Sequence, residues 1–129
     1  MREERFLAGR RILVVEDLML IALDLAGTIE DLGGDVCGTA ATVREAMRAI
    51  EEERPDGVLL DINLAGESAF PIAEELMRRG IPFIFMTGYD ELPADFARKP
   101  FLTKPFDYAE VRTRMRSVFV EQQPAQQMA

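Results

Sequence analysis

Residues 57–66 read GVLLDINLAG, and in this stretch a short apolar run ends on one carboxylate, Asp61, directly before a loop. An unbroken apolar run of this length is typical of a strand that is buried on both faces of a parallel sheet. A buried carboxylate without a partner is costly to stability. We therefore expect Asp61 to be paired, exposed at the rim of the sheet, or used in chemistry.

The chain has 129 residues, 48% of them hydrophobic, and a net charge of -8, which together predict one globular domain. The acidic balance argues against direct nucleic-acid binding. There is no histidine, which excludes imidazole bases, and the single cysteine, Cys37, cannot form an internal disulfide. No stretch is long and apolar enough for a signal peptide or a membrane span, so we expect a cytoplasmic protein.

Five short strands alternate with helices between residues 10 and 120, the segment that we predict to be the folded domain. The segments 1–9 and 121–129 lack periodicity, and we expect them to be flexible termini. Alternating strands and helices predict an α/β fold with a parallel sheet covered on both faces. We expect a flavodoxin-like (βα)5 three-layer sandwich with sheet order 2-1-3-4-5. The predicted strands are 12–15, 35–40, 58–60, 82–86 and 101–103, and the predicted helices cover 18–32, 43–53, 71–79, a short segment from Pro93, and 107–118.

Several residues fit the ends of these predicted helices. Thr42 and Glu45 have the spacing of a capping box, in which each side chain accepts a hydrogen bond from the backbone N–H of the other residue. Asp107 and Glu110 form the same pattern before the last helix. Gly80 can end the third helix in a left-handed conformation.

Polar side chains follow four of the predicted strands at their carboxyl ends: Glu16 and Asp17, then Asp61, Thr87 and Lys104. In a sheet of this topology these ends meet at one edge, where ligands bind. Three carboxylates held close together repel one another, so a positive charge must lie among them. Mg²⁺ is the natural candidate because it prefers oxygen ligands and binds through carboxylates together with a phosphate.

The same residues suit phosphoryl transfer. A metal-bound carboxylate at a strand end can act as a nucleophile toward a phosphoryl group and form an acyl phosphate. Lys104 would then pair with one phosphoryl oxygen, and the Thr87 hydroxyl would donate to another. We therefore predict that Asp61 is a phospho-acceptor and that Glu16, Asp17 and Asp61 are metal ligands.

Four short motifs lie at these strand ends: VVED at 14–17, LLDINLAG at 59–66, MTG at 86–88 and TKPF at 103–106. Each motif is unspecific alone, but their order and their positions are specific. Together they resemble the receiver domains of bacterial two-component response regulators. The resemblance spans residues 10–120, nearly the whole chain.

The resemblance implies a phosphorelay role and further site residues. The backbone carbonyl of Asn63 would complete the Mg²⁺ site, and the Lys104–Pro105 peptide bond would be cis. Thr87 and the aromatic Phe101 would move when Asp61 is phosphorylated and so change a protein-binding face. The phosphoryl donor would be a sensor histidine kinase or a phosphotransfer protein, and the downstream protein target is left open.

The resemblance also implies two contact surfaces. A kinase would dock at the start of the first helix, on Leu18 and Met19, and on the loop after Pro105. A target would bind the face formed by the fourth helix, the fifth strand and the fifth helix. Because only a short tail follows the last predicted helix, we expect the signal to leave by protein contact or by phosphoryl transfer.

The stretch PFIFMTGY at 82–89 is similar to the P-F-x-F-A-T-G-Y signature of the "FAT GUY" response regulators. It differs from that signature at Met86, where alanine is expected. The similarity implies a single-domain response regulator of the general stress response.

Three other functions fit parts of the sequence. A phosphate sink or relay shuttle would use the same site without binding an effector. A Mg²⁺-dependent phosphohydrolase of the haloacid dehalogenase type also uses a strand-end aspartate, but it usually needs a second aspartate where Asn63 stands. A flavodoxin-like nucleotide or flavin binder would need a Gly-rich loop after the first strand, and the sequence has none there. We expect no enzyme activity beyond slow self-dephosphorylation.

Overall fold

Five parallel strands form the central sheet of the computed structural model, which describes residues 5–88, 96 and 98–121. A short antiparallel hairpin lies apart from this sheet, and helices cover both faces of the sheet. In chain order the elements are β1 (Arg11–Val15), α1 (Met19–Asp31), β2 (Asp35–Ala40), α2 (Val43–Glu53), β3 (Gly57–Asp61), β4 (Asn63–Leu64), β5 (Glu67–Ser68), α3 (Phe70–Arg79), β6 (Phe83–Thr87), β7 (Phe101–Thr103), α4 (Tyr108–Arg116) and a π-helix (Ser117–Glu121).

The strand order of the sheet is β2-β1-β3-β6-β7, and every neighbouring pair is parallel. β4 and β5 form a separate two-stranded hairpin, so β6 and β7 are the fourth and fifth strands of the sheet. The observed order is therefore the predicted order 2-1-3-4-5. The predicted α/β, flavodoxin-like fold is therefore confirmed. The direction of winding changes between β1 and β3, so the carboxyl ends of these two strands flank the position where ligands bind in such sheets.

Alternate residues of β1 face opposite layers, as the period of two in a strand requires. Ile12 and Val14 pack with α1, α4 and the π-helix, and Leu13 and Val15 pack with α2 and α3. All four side chains are fully buried. β1 is thus covered on both faces, which explains why its sequence is an unbroken apolar run.

The predicted capping boxes have different outcomes. Asp107 and Glu110 form the complete box, since each side chain accepts a hydrogen bond from the backbone N–H of the other. Thr42 Oγ1 accepts from the N–H of Glu45 at 3.1 Å. The Glu45 carboxylate, however, accepts from the N–H of Ala41, so the prediction is wrong for the second half of this box.

Residues 5–9 belong to the segment predicted to be flexible, but they pack against the core. Leu7 is fully buried, and its backbone N–H donates to the carbonyl of Leu32 at 3.0 Å. The opposing loop needs glycine here, because a Cβ on Gly34 would lie 3.1 Å from Leu7 and 2.9 Å from Ile29. The charged residues around Leu7 hide this contact from an interpretation based on periodicity.

The last helix does not run as one α-helix to Val118, because a π-helix takes over at Ser117–Glu121. Phe119 in this π-helix is fully buried at the amino-terminal edge of the sheet. Its ring lies so close to Gly57 that a Cβ there would meet ring atoms at 2.7 Å. The carbonyl of Phe119 accepts a hydrogen bond from Arg10 Nε at 2.9 Å, which connects the π-helix to the residue before β1.

Some predictions fall on residues that the structure does not describe, namely the short helix from Pro93 and the ends 1–4 and 122–129. The domain bounds 10–120 stay a prediction. Within the described part of the chain, no helix combines the length and the apolar character needed to cross a membrane.

Candidate functional site

Three carboxylates meet at the carboxyl edge of the sheet. Glu16 and Asp17 directly follow β1, and β3 ends on Asp61. One carboxylate oxygen of each lies within 4.8 Å of the other two. Glu16 and Asp61 are buried, and Asp17 is half-buried. The structure thus brings together the three acids that the sequence predicts as metal ligands, and their binding role stays a prediction.

Lys104, which follows β7, lies among these acids. Its Nζ donates to Glu16 Oε1 and to Asp61 Oδ2, each at 3.0 Å. The Lys104–Pro105 peptide bond is cis, as the resemblance implies. The backbone N–H of Lys104 donates to the carbonyl of Thr87 at 2.6 Å, which joins the ends of β6 and β7. Asp61 is therefore a buried acid with a lysine partner, which resolves the question raised by its sequence position.

Thr87 is the buried last residue of β6 and lies at the same edge. Its neighbour Met86 pairs with Asp61 on one side, and Thr87 itself pairs with Thr103 on the other. The strand order therefore places Thr87 between the ends of β3 and β7, beside Lys104. The predicted bond from its hydroxyl to a phosphoryl group stays a prediction.

Glu16 connects the acids to the start of α1. Its Oε2 accepts from the backbone N–H of Leu18 at 3.0 Å, and its Oε1 accepts from Lys104. Leu18 is the N-cap residue of α1 and its side chain forms no cap, so Glu16 accepts from the N-cap N–H as the second acid of a capping box does. Burial raises the pKa of the Glu16 carboxyl, the hydrogen bonds from Leu18 and Lys104 oppose this rise, and the nearby Asp61 adds to it.

The same contacts raise the pKa of Lys104, although burial opposes them. Burial alone would lower it, but the hydrogen bonds to Asp61 and Glu16 outweigh burial and raise it. The pKa of Lys104 rises because two carboxylates favour its charged form, whereas the pKa of Glu16 rises because burial and the neighbouring Asp61 disfavour its negative charge. The structure thus holds Lys104 as an ammonium ion.

The donor atoms of this edge fit Mg²⁺. When all three acids are ionised, Lys104 compensates one negative charge and two remain. An octahedral Mg²⁺ with ligands at about 2.1 Å spaces its ligand oxygens about 3 to 4 Å apart. The carboxylate oxygens here, all within 4.8 Å of one another, need only small shifts to reach that spacing. Carboxylate oxygens are also the hard ligands that this ion prefers.

The hairpin of β4 and β5 is a part of the site that the sequence analysis missed. The backbone N–H of Asn63 donates to Asp61 Oδ1 at 3.2 Å, and the Asn63 side chain accepts from the N–H of Gly66 at 2.8 Å. The turn residues Ala65 and Gly66 both have positive φ, 53° and 94°. Asn-Gly and Asp-Gly are the usual signals for such a turn, and Ala-Gly gives none. The Asn63 carbonyl as a metal ligand stays a prediction.

The Response regulator receiver domain family matches residues 12–116, and the chain belongs to this family. The phyllosphere-induced regulator PhyR of Methylorubrum extorquens is 39% identical over 120 residues, which cover 88% of this chain and 45% of PhyR. The crystal structure of PhyR from Brucella abortus has a TM-score of 0.85 at 33% identity and covers 96% of this chain and 53% of that one. The solution structure of SdrG from Sphingomonas melonis has a TM-score of 0.76 at 38% identity and covers 84% and 94%.

The chain spans about half the length of the curated relatives it matches. The predicted resemblance to receiver domains of two-component response regulators is confirmed. The chain therefore belongs with signalling proteins. A further solved structure describes PhyR as a stress response regulator, which supports the predicted subgroup. That the chain acts as a single-domain regulator stays a prediction.

Proposed function

We propose that Asp61 accepts a phosphoryl group and that this phosphorylation changes a protein-binding face. One observation supports the proposal above all. Asp61 is a buried carboxylate whose oxygens are each held, Oδ1 by the N–H of Asn63 and Oδ2 by Lys104 Nζ. An acid fixed in this way at the carboxyl edge of a parallel sheet is oriented toward an incoming ligand.

In the proposed step, a carboxylate oxygen of Asp61 attacks the phosphorus of a phosphohistidine on the donor. A P–O bond forms, the P–N bond breaks, and the imidazole nitrogen takes the electron pair of the broken bond. These 129 residues contain no histidine, so in this proposal the phosphohistidine lies outside them, on a sensor histidine kinase or a phosphotransfer protein.

The other residues of the edge stabilise the charge of the transferring group. Lys104 Nζ exchanges its bond to Asp61 for one to a phosphoryl oxygen, and the Thr87 hydroxyl donates to a second oxygen. Glu16, Asp17, Asp61 and the backbone carbonyl of Asn63 would hold Mg²⁺, which when bound would neutralise negative charge on the phosphoryl oxygens.

Movement of Thr87 carries the change toward β7. Phe101 of this strand is half-buried and packs with the cluster that contains Phe85 and Phe96. β7 is the outermost strand of the sheet, so a shift of Phe101 alters the face that β7 forms with α4. Phosphorylation in this proposal biases two arrangements that already exist in the unphosphorylated protein.

The start of α1 is the proposed docking surface for the donor. Leu18, Met19, Leu20 and Leu23 are apolar but 55%, 73%, 82% and 60% exposed, and we call them the α1 apolar patch. Contiguous exposed apolar side chains on a folded domain mark interaction sites. A cavity beside this helix reaches the phospho-acceptor edge and is lined by Ile21, Asp24, Lys104, Pro105 and Phe106.

The proposal is tested with a small phosphodonor. The protein and its Asp61→Asn variant are incubated with acetyl phosphate and Mg²⁺, and intact masses are followed with time. We expect the parent protein to gain one phosphate and Asp61→Asn to gain none. Phosphate on Asp61→Asn refutes the site assignment, and no phosphate on the parent protein refutes the proposed function. Release of inorganic phosphate in large excess over protein would favour the phosphohydrolase alternative.

A further inference from the structure

The hairpin of β4 and β5 lies directly beside the proposed phospho-acceptor. Its turn is closed by Asn63 Oδ1, which accepts from the N–H of Gly66 at 2.8 Å. Leu64 is 1% exposed, so the first strand of the hairpin is anchored in the core. The side chain of Asn63 is therefore engaged in the turn of a fixed element.

A series of bonds connects this turn to the acid. The backbone N–H of Asn63 donates to Asp61 Oδ1 at 3.2 Å, while Lys104 holds Oδ2. At the other end of the hairpin, the N–H of Ala69 donates to the carbonyl of Ile62 at 2.8 Å. The main chain after Asp61 is thus held on both sides of the hairpin, and the carboxylate cannot rotate without breaking a bond.

We infer that Asn63 is a positioning residue whose side chain locks the hairpin turn, so that its backbone N–H holds the Asp61 carboxylate for phosphoryl transfer. The inference rests on the proposed function and adds a role to a residue of that site. It assigns the Asn63 side chain to the turn and not to the phosphoryl group. Removing this side chain should therefore impair formation of the acyl phosphate and, at saturating Mg²⁺, leave its loss unchanged.

Two variants break the turn in independent ways. Asn63→Ala removes the acceptor, and Gly66→Ala opposes the φ of 94° although nothing lies within 4 Å of the added Cβ. We expect each variant to bind Mg²⁺ about 10-fold more weakly by calorimetric titration, a loss typical when a support of a ligand is removed. Phosphorylation by acetyl phosphate should slow in parallel. Asn63→Ser keeps an acceptor for the same N–H and should recover most of both losses.

Gly80→Ala is the matched control for the glycine change. Gly80 also has a positive φ, 72°, and open space around the position of its Cβ. It ends α3 just before β6, away from the carboxyl edge. This variant carries a similar backbone strain, so it should lose stability to thermal unfolding but keep the Mg²⁺ affinity and the phosphorylation rate of the parent protein.

The outcomes separate the inference from the proposed function. If the parent protein gains phosphate and Asn63→Ala matches it in Mg²⁺ affinity and in rate, the positioning role is overturned. A change confined to the rate of phosphate loss also overturns it, because the side chain then acts on the phosphoryl group itself. If the parent protein gains no phosphate, the proposed function is refuted, and the inference that rests on it is refuted too.

Discussion

The two edges of the sheet are held together by different forces. At the carboxyl edge, Asp61 and its neighbouring acids depend on one ammonium group, that of Lys104. At the amino-terminal edge, Leu7 and Phe119 close the fold by apolar contact, and the ring of Phe119 lies against Gly57. One edge keeps unbalanced charge where a ligand can reach it, and the other removes apolar surface from water.

The size of the two free-energy contributions explains why the acids and the apolar contacts lie at opposite edges of the sheet. Two like charges 4 Å apart repel by about 1 to 4 kcal/mol, depending on the effective dielectric. Full burial of one large apolar side chain contributes about 1.5 to 3 kcal/mol in the favourable direction. The amino-terminal edge therefore offsets the repulsion among the acids of the carboxyl edge, which the proposed phosphoryl transfer requires. Changes at the amino-terminal edge should alter stability alone, and changes at the carboxyl edge should also alter phosphorylation.

The largest effect on stability is expected from Phe119→Ala. Emptying this fully buried site should lower the free energy of unfolding by about 3 to 5 kcal/mol. Phosphorylation of Asp61 per folded molecule should stay unchanged. Urea unfolding followed by circular dichroism measures the first quantity, and intact mass after acetyl phosphate treatment measures the second.

Gly57→Ala supplies the internal check for this site. Its Cβ would meet the ring of Phe119 at 2.7 Å, so the single change should destabilise the protein. In the Phe119→Ala background the same change should cost much less, because the ring is gone. An equal loss in the free energy of unfolding in both backgrounds would contradict the contact between residue 57 and the Phe119 ring.

At the opposite edge, Lys104→Met should lower the free energy of unfolding by about 1 to 3 kcal/mol, because it leaves the acids without their cation. The value lies below that for a fully buried pair because the Lys104 side chain is 22% exposed. Mg²⁺ should raise the melting temperature of this variant more than that of the parent protein, since the ion then supplies the missing charge. Equal responses to Mg²⁺ would argue against a shared site.

Glu75, Arg78 and Arg79 form an ion-pair cluster on α3 that belongs to neither edge and serves as a comparison for the charged groups of the site. Hydrogen bonds from Arg78 and then Arg79 lower the pKa of Glu75 from 4.5 to about 2. A lowered pKa gives stability that is present above pH 4.5 and is lost as the pH falls toward about 2. Glu75→Gln should therefore be slightly less stable than the parent protein at pH 6, and the difference should shrink below pH 4.5. Urea unfolding at stepped pH measures this, and a constant difference would speak against the shift.

The smallest effect on stability is expected in the α1 apolar patch. Leu20 is 82% exposed, so Leu20→Ser should change the free energy of unfolding by less than about 0.5 kcal/mol. Phosphorylation by acetyl phosphate should also be unchanged. Transfer from a phosphorylated histidine-containing donor protein should slow markedly, because only that reaction needs the docking surface. Unchanged transfer from the protein donor would remove α1 from the proposal.

The sequence predicts those strand and helix bounds that depend on residues only a few positions apart. The β7 strand, α2 and the third helix's end at Gly80 agree with the predicted residues, because apolar runs, caps and glycine act over a few positions. The strand order followed from topology rules, and the meeting of Glu16, Asp61 and Lys104 followed from that order.

What the sequence does not predict depends on contacts between distant residues or on unusual turn chemistry. The burial of Leu7 needs the space beside Gly34, which no local pattern around Leu7 reveals. The hairpin turn places Ala65 at positive φ, a conformation that alanine seldom adopts. The bond from Glu16 to the N–H of Leu18 arises because the acid lies just ahead of a helix that has no polar cap of its own.

The position of Lys104 makes the state of this edge readable by covalent labelling. The chain has only two lysines, Lys99 and Lys104, so peptide mass spectrometry can follow each amine separately. Only a neutral amine attacks an acylating reagent, so a lysine whose pKa is raised and whose ammonium group is held by two carboxylates reacts slowly. Any ligand that draws those carboxylates away will change the acylation rate of Lys104 relative to that of Lys99, with no added probe or isotope.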